Sequence, residues 1–412
     1  MADLDISATS RVTEHSQAAT PDTRSPHRYL VLDSMRGICA CIIVLLHLST
    51  QGYISNSQFV RNGFLFVDFF FVLSGFVIAA SYGSRLSKGF SPVAFMALRL
   101  GRVYPMHLVM LALFLAFEIA FAVSSTQFAG RAPFSEVYGP GLLVANLALV
   151  QIFFGPDRTS WNAPSWSIAA EVWTYLVFAM IFRLAGRWLV PICAAIAVAS
   201  CLYLAMLTDR YLEVFHNGAF ARCLYGFSLG VIAYAVQQRI RSSASQKGSQ
   251  GLWTLGEAAM VVAVIAAVTF SGPSVSSLAI PPLFLLVILL FAQENGRLSY
   301  ILTRKPFVFV GTLSYSIYMI HSFLELRFVN VISAVGRIIH RPLVVSVSGH
   351  NEIGFGPLFG DAMSLLMLAI TIACAILSYR WIEQKMNDRT RKWVASRFHT
   401  GVRASEDAAP TF

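Results

Sequence analysis

Arg36 and His47 stand eleven residues apart in one apolar stretch that opens Leu32-Asp33-Ser34-Met35-Arg36-Gly37. Eleven steps of an α-helix make about three turns plus 20° and rise ~16 Å, so both side chains share one face. This places a guanidinium near a membrane interface and an imidazole near the bilayer centre. A buried neutral imidazole with an aligned guanidinium is costly to keep without a function. Asp33, one turn before Arg36, can hold the guanidinium. Ionisable groups at such depth are costly, and function is the first explanation to test. The plainer alternative is an arginine that snorkels and a histidine that packs helix on helix.

Four further groupings carry chemistry. Arg99 and Arg102 are i,i+3 at the base of an apolar segment, followed by Tyr104-Pro105. Two guanidiniums on one helix face suit a phosphorylated ligand, which Arg grips in bidentate fashion; membrane anchoring is the simpler account. Ser167 and Glu171 are i,i+4 behind Pro164, with Glu171 expected in the outer half of the membrane as an acid or base, or else paired with an Arg or His. Asp68 sits among phenylalanines, where an ion pair and a substrate contact are equally apt, and Ser74-Gly75 permits close helix approach. Ser314, Tyr318 and His321 lie on one helix face and can line an outer acceptor site, although helix–helix hydrogen bonding explains them slightly better. Arg380 and Glu383 suggest an interfacial clamp.

These residues need a scaffold, and composition names it. Hydrophobic residues make up 56% of the 412, charged ones 13%, and the mean hydropathy is +0.63. A water-facing domain carries roughly 25% charge. The pattern predicts an all-α polytopic transmembrane bundle of about ten spans, near 30–50, 63–83, 95–122, 164–184, 188–207, 217–237, 252–270, 278–293, 306–323 and 361–382. The run 141–154 is too short to cross, since its residues rise ~21 Å against a core of ~30 Å. Were it to cross, the basic loops after it would all move outside, against the positive-inside rule. It is therefore expected to be re-entrant or interfacial, with both termini cytoplasmic. Residues 1–28 read as a disordered cytoplasmic tail without an apolar signal core, 29–386 as the membrane domain, and 387–412 as a second cytoplasmic tail. Arg239–Gly251 reads as a flexible link. The net charge of +10 fits basic inner loops and an anionic cofactor better than nucleic acid. The six cysteines lie in apolar runs without metal-ligand spacing, so packing is their expected role and no metal is expected.

In this order the motifs resemble the bacterial membrane acyltransferase family 3, whose members O-acetylate lipopolysaccharide O-antigen, exopolysaccharides and nodulation factors. The likeness covers roughly residues 29–386. It rests on Asp33-x-x-Arg36 with His47 following, Val67-Asp68-x-Phe70-Phe71-Val72-Leu73-Ser74-Gly75-Phe76, Arg99-x-x-Arg102-x-Tyr104-Pro105, Trp166-Ser167-x-x-x-Glu171, and Ser314-Tyr315-x-x-Tyr318-x-x-His321. The resemblance implies a cytoplasmic acyl-CoA donor, usually acetyl-CoA. It implies that Arg36 and His47 are essential and that Arg99 and Arg102 help hold the donor; Glu171 is read with them as part of the chemistry, and Arg36 and Tyr104 as further donor contacts. Asp68, Ser314, Tyr318 and His321 then fall to the acceptor, with Asp33 and Ser74 in support. The implied partners are a glycan acceptor, free or lipid-linked, and membrane lipid; a homodimer is open, and the implied location is the inner membrane. The pantetheine arm, on the order of 15–20 Å, matches the ~16 Å rise from Arg36 to His47. The family's closing Ile-Glu-x-Pro is absent here, where Ile382-Glu383-Gln384-Lys385-Met386 stands. A transporter or exporter of glycan or lipid-linked glycan, and an acyltransferase for a small molecule, are the competing readings.

Overall fold

The computed structural model describes residues 28–398 apart from 125–130, 155–157, 208, 243–248 and 348–349. The expected amino-terminal tail, the middle of the 239–251 link and the chain beyond 398 lie outside the described residues. In chain order the main helices are α1 (Leu30–His47), α2 (Phe66–Ile78), α3 (Pro92–Val123), α4 (Pro140–Leu147), α5 (Ser165–Leu184) and α6 (Leu189–Leu207). They continue as α7 (Ala219–Ser242), α8 (Gln250–Ser271), α9 (Ile280–Phe291), α10 (Lys305–Ile338), α11 (Pro357–Ser378) and α12 (Gln384–Arg397). Nine helices among the described residues are long and apolar enough to cross a membrane, and Val275–Phe291 is a shorter apolar tenth. The order matches the expected spans. Local chemistry marks several ends: Ser91 and Ser249 cap α3 and α8 by accepting from Ala94 N and Leu252 N. Gly272, at φ 49°, closes α8 in a conformation that favours glycine.

Two parallel helix pairs build the centre. Along α1 and α10, Gly37 opposes Gly311, and ten residues further along each helix His47 meets His321. The register therefore holds over ~15 Å. The glycines permit the contact: a Cβ on Gly311 would fall 2.3 Å from Asp33 O. Helices α2 and α7 cross in the same manner, where a Cβ on Gly230 would fall 1.9 Å from Val72 O and one on Gly75 2.0 Å from Phe227 O. Small residues at such crossings let backbones approach where lipid provides no hydrophobic drive. The outward faces of α6 and α8 remain apolar, with Leu202, Met206, Val262 and Phe270 exposed, as a lipid-facing surface requires.

The 141–154 segment is taken up by the eight-residue α4 and the turns that follow it, and at ~12 Å that helix is too short to cross a core of ~30 Å. Asn146, fully buried, anchors it: its Nδ2 donates to Ser160 Oγ (2.8 Å), its Oδ1 accepts from Ser165 Oγ (3.0 Å), and its backbone O accepts from His107 Nε2 (2.9 Å). Backbone at this depth needs such internal partners.

Three features differ from expectation. A small antiparallel hairpin, β1 (Val344–Val347) with β2 (His350–Ile353), joins α10 to α11, and Thr50 bridges to Ile353. Each strand is only four residues long, so no period could announce it. The chain is also helical through Arg397, past the expected start of the tail, because α12 packs on α3 with Thr390 against Gly101. Glu383 bonds Ser316 Oγ (2.9 Å) within the bundle while Arg380 faces outward, so that clamp does not form.

Candidate active site

A cavity with about 750 Å³ of empty space, part of it open to the outside, lies between α1, α2, α3, α5 and α10. Arg36, Arg99, Arg102 and Glu171 reach it from three of these helices, and Phe70, Phe71, Val77 and Ile168 form apolar wall. Ser74, Ser314 and Tyr318 line it as well. Residues separated by nearly three hundred positions thus meet in one space.

Each guanidinium is held differently. Arg36 Nε donates to Ser314 Oγ (2.7 Å) and Nη2 to Gly311 O (3.1 Å), while Asp33 Oδ1 stands 3.5 Å from Nη2. Asp33 is fully buried and also accepts from Arg28 Nε (3.0 Å). Arg99 Nη2 donates to Tyr175 OH (3.0 Å), and Tyr175 OH donates to Glu171 Oε1 (2.5 Å). Ser74 Oγ donates to that same carboxylate oxygen. Arg102 has no hydrogen bond or ion pair among the described residues, although its side chain lines the cavity. Glu383, the carboxylate whose charge bears on it, is itself bonded by Ser316. Glu171 is the one carboxylate in the cavity lining beside three guanidiniums, Asp33 and Glu383 acting from behind Arg36 and Arg102, and among the described residues Arg102 and Arg99 Nε keep uncommitted donors.

At the other end of the cavity, Ser167 Oγ donates to Pro164 O (2.9 Å), so the hydroxyl of Tyr318 must donate to Ser167 (2.8 Å). Ring contacts of 5.8 Å join Tyr318 to Phe70 on one side and to His321 on the other. The histidine pair lies just beyond, outside the cavity lining. His47 and His321 have ring centroids 4.6 Å apart. His321 is the seventeenth residue of the 34-residue α10, which sets the pair near the middle of the bundle. His47 Nδ1 lies 2.8 Å from Ile43 O and His321 Nδ1 2.6 Å from Tyr318 O. Carbonyl oxygens only accept, so both Nδ1 atoms carry hydrogen and both Nε2 atoms present lone pairs. The His321 Nε2 is buried without a partner. An unmade bond of that kind costs about 1–3 kcal/mol.

The structure thus gathers Arg36, Arg99, Arg102, Glu171, Ser74, Ser314 and Tyr318 around one space, supports Arg36 with Asp33, and sets His47 with His321 above it. Glu171 belongs to the arginine network. Tyr104 donates to Leu147 O (2.7 Å) and so steadies the re-entrant segment rather than lining the cavity. Asp68 is locked to Arg222: Nε to Oδ1 is 3.0 Å and Nη2 to Oδ2 2.7 Å, both side chains fully buried, with Phe64 O accepting from Nη2 (2.9 Å). Sequence reasoning passed over Arg222 and Tyr175. Tyr175 is i+4 from Glu171 and readable as the same face; Arg222 lies near the start of a span, where a positive charge reads as interfacial.

The chain matches the family model described as an acyltransferase domain over residues 29–380. It is 31% identical over 165 residues to protein 2 in the picA locus of Rhizobium radiobacter, covering 37% of this chain and 82% of that protein. It is 28% identical over 204 residues to the acyltransferase MdmB of Streptomyces mycarofaciens, covering 45% of this chain and 49% of the relative. With the O-acetyltransferase OatA of Staphylococcus aureus the identity is 22% over 382 residues, covering 86% of this chain and 57% of the relative. The chain therefore spans about half the length of these last two proteins. No solved structure matches it.

Proposed function

The chain belongs to the acyltransferase family 3 and is a multi-pass membrane O-acyltransferase; from that premise we propose that it transfers an acetyl or other short acyl group from acyl-CoA to a saccharide hydroxyl. One observation carries the donor: Arg36, Arg99 and Arg102 converge on an apolar-walled cavity, and Arg102 keeps its donors free. Guanidiniums match phosphate oxygens in pairs, and an apolar wall suits the pantetheine arm. The donor's phosphates meet Arg99 and Arg102 at the cavity mouth, and the arm runs along α1 toward His47. The Tyr318–Ser167 contact opens as the thioester passes. His47 Nε2, a lone pair in the tautomer fixed by Ile43 O, then takes the proton of the attacking hydroxyl. An acyl-His47 relay is the alternative that label trapped on His47 would favour.

For the acceptor, Gln151 Oε1 and Asn162 Oδ1 are buried acceptors without partners near the start of α5. Sugar hydroxyls are donors of the kind such oxygens lack. The test uses the full chain in lipid nanodiscs with radiolabelled acetyl-CoA and a glycan extract of the source cells. Label should enter the glycan fraction as alkali-labile ester, and His47→Ala should abolish it. Full transfer by His47→Ala overturns the mechanism. Label confined to a small-molecule fraction overturns the saccharide. Absence of any thioester turnover overturns the donor.

A further inference from the structure

We propose that His321 is the partner base of His47, and that the two imidazoles hold the acceptor's proton between them during transfer. Four observations carry this. The rings are in contact, with centroids 4.6 Å apart. Each is pinned by its Nδ1 to a backbone carbonyl, of Ile43 and of Tyr318. Both Nε2 atoms are consequently lone pairs, and that of His321 is buried without a donor. The parallel register of α1 and α10, set by Gly37 against Gly311, holds the rings together.

Two imidazoles in ring contact, each with an unprotonated Nε2, form an incomplete arrangement that one added proton can complete. The groups around the pair leave that proton to the two rings. On α10, Tyr318 has its hydroxyl committed to Ser167, and Glu325, one turn beyond His321, has no hydrogen bond or ion pair among the described residues. On α1 the other ionic groups are Asp33 and Arg36, held together more than two turns below. On α2, Asp68 is committed to Arg222, and on α3 His107 Nε2 is committed to Asn146 O.

This rests on the reading that His47 acts on the acceptor hydroxyl. The O–H bond breaks as its proton passes to His47 Nε2. The oxygen bonds to the thioester carbon, the C–S bond breaks, and its electron pair leaves on sulfur. The imidazolium so formed has the Nε2 lone pair of His321 as its neighbour. The proton then leaves the pair for the thiolate, giving free thiol and two neutral rings. His321 does not touch the thioester; it is a positioning residue that steadies the charged state of His47.

The test has two arms on the full chain in nanodiscs. In the first, nitrogen-15 histidine spectra are followed through a pH titration for wild type, His47→Gln and His321→Asn. Asparagine keeps a donor for Tyr318 O but places no nitrogen at Nε2. The His47 and His321 resonances should move together, and removal of either ring should displace the titration of the other by at least one pH unit. Independent titration of the two rings overturns the proposal. In the second arm, transfer from acetyl-CoA is measured. His321→Asn should lower kcat ten- to a hundred-fold and leave the KM for acetyl-CoA within twofold. His321→Gln, whose amide carries no exchangeable base, should be equally slow. Unchanged kcat, or a loss expressed through KM, overturns the proposal. If the rings titrate together but the wild type turns over no thioester, the shared proton stands and the functional reading falls.

Discussion

Arg102 and Arg222 show how differently two buried guanidiniums can be employed. Arg222 is bidentate to Asp68 in full burial, and removing one partner strands the other's charge. Asp68→Asn should destabilise the protein by about 3–5 kcal/mol, whereas replacing both with apolar residues, as in Asp68→Leu with Arg222→Met, should restore much of that. Thermal unfolding of the detergent-solubilised chain measures it. Arg102 bonds nothing in the described protein, so Arg102→Ala should leave the melting temperature unchanged. It should raise the KM for acetyl-CoA about 10- to 100-fold, the value of a lost charged hydrogen bond or two. Arg102→Lys should recover part of this, because an ammonium supplies charge without the fork. At this scale, spacing anticipated cavity neighbours where partners share a helix face, as Arg99 with Arg102 and Ser314 with Tyr318, while His47, paired by spacing with Arg36, lies outside the lining beside His321. Spacing was silent on Arg222 because the pairing with Asp68 spans 154 residues, a distance that helical periodicity does not encode.

At the scale of elements, the crossings of α1 with α10 and α2 with α7 depend on the absence of side chains. Gly230→Ala should abolish a monodisperse peak in size-exclusion chromatography, since its new carbon would lie 1.9 Å from a backbone oxygen. Gly141→Ala, with open space around it, should not. The spans themselves were legible from length and hydropathy. The shortness of the helix in 141–154 was also legible from the length of its apolar run, and charge balance argues against a crossing there. The hairpin after α10 was not legible, and neither was the last helical stretch: α12 is polar in sequence, and its order comes from packing on α3 at Gly101, a contact no local pattern reveals. Tyr104 reads as part of an arginine motif, yet its hydroxyl serves the re-entrant segment; the motif records a neighbourhood, and only the fold assigns the bond.

For the whole molecule, the nine long apolar helices among the described residues and the shorter Val275–Phe291 would, if each crosses once, return the chain to the side on which it started, the side expected to hold the basic loops. In a background lacking the six native cysteines, single cysteines at Tyr53 or Leu358, both exposed, should react with an impermeant thiol reagent added to intact cells. One at Lys88 should react only after permeabilisation; the reverse pattern would invert the bundle. The contact of Tyr318 with Ser167 bears on economy as well as on chemistry. Tyr318 lines the arginine-bearing cavity and touches His321 on its far side, so under the proposed donor reading this contact would shelter a loaded thioester from idle hydrolysis. A Tyr318→Ala protein should squander its donor, releasing free thiol from acetyl-CoA faster than wild type when no acceptor is supplied, with water taking the acyl group.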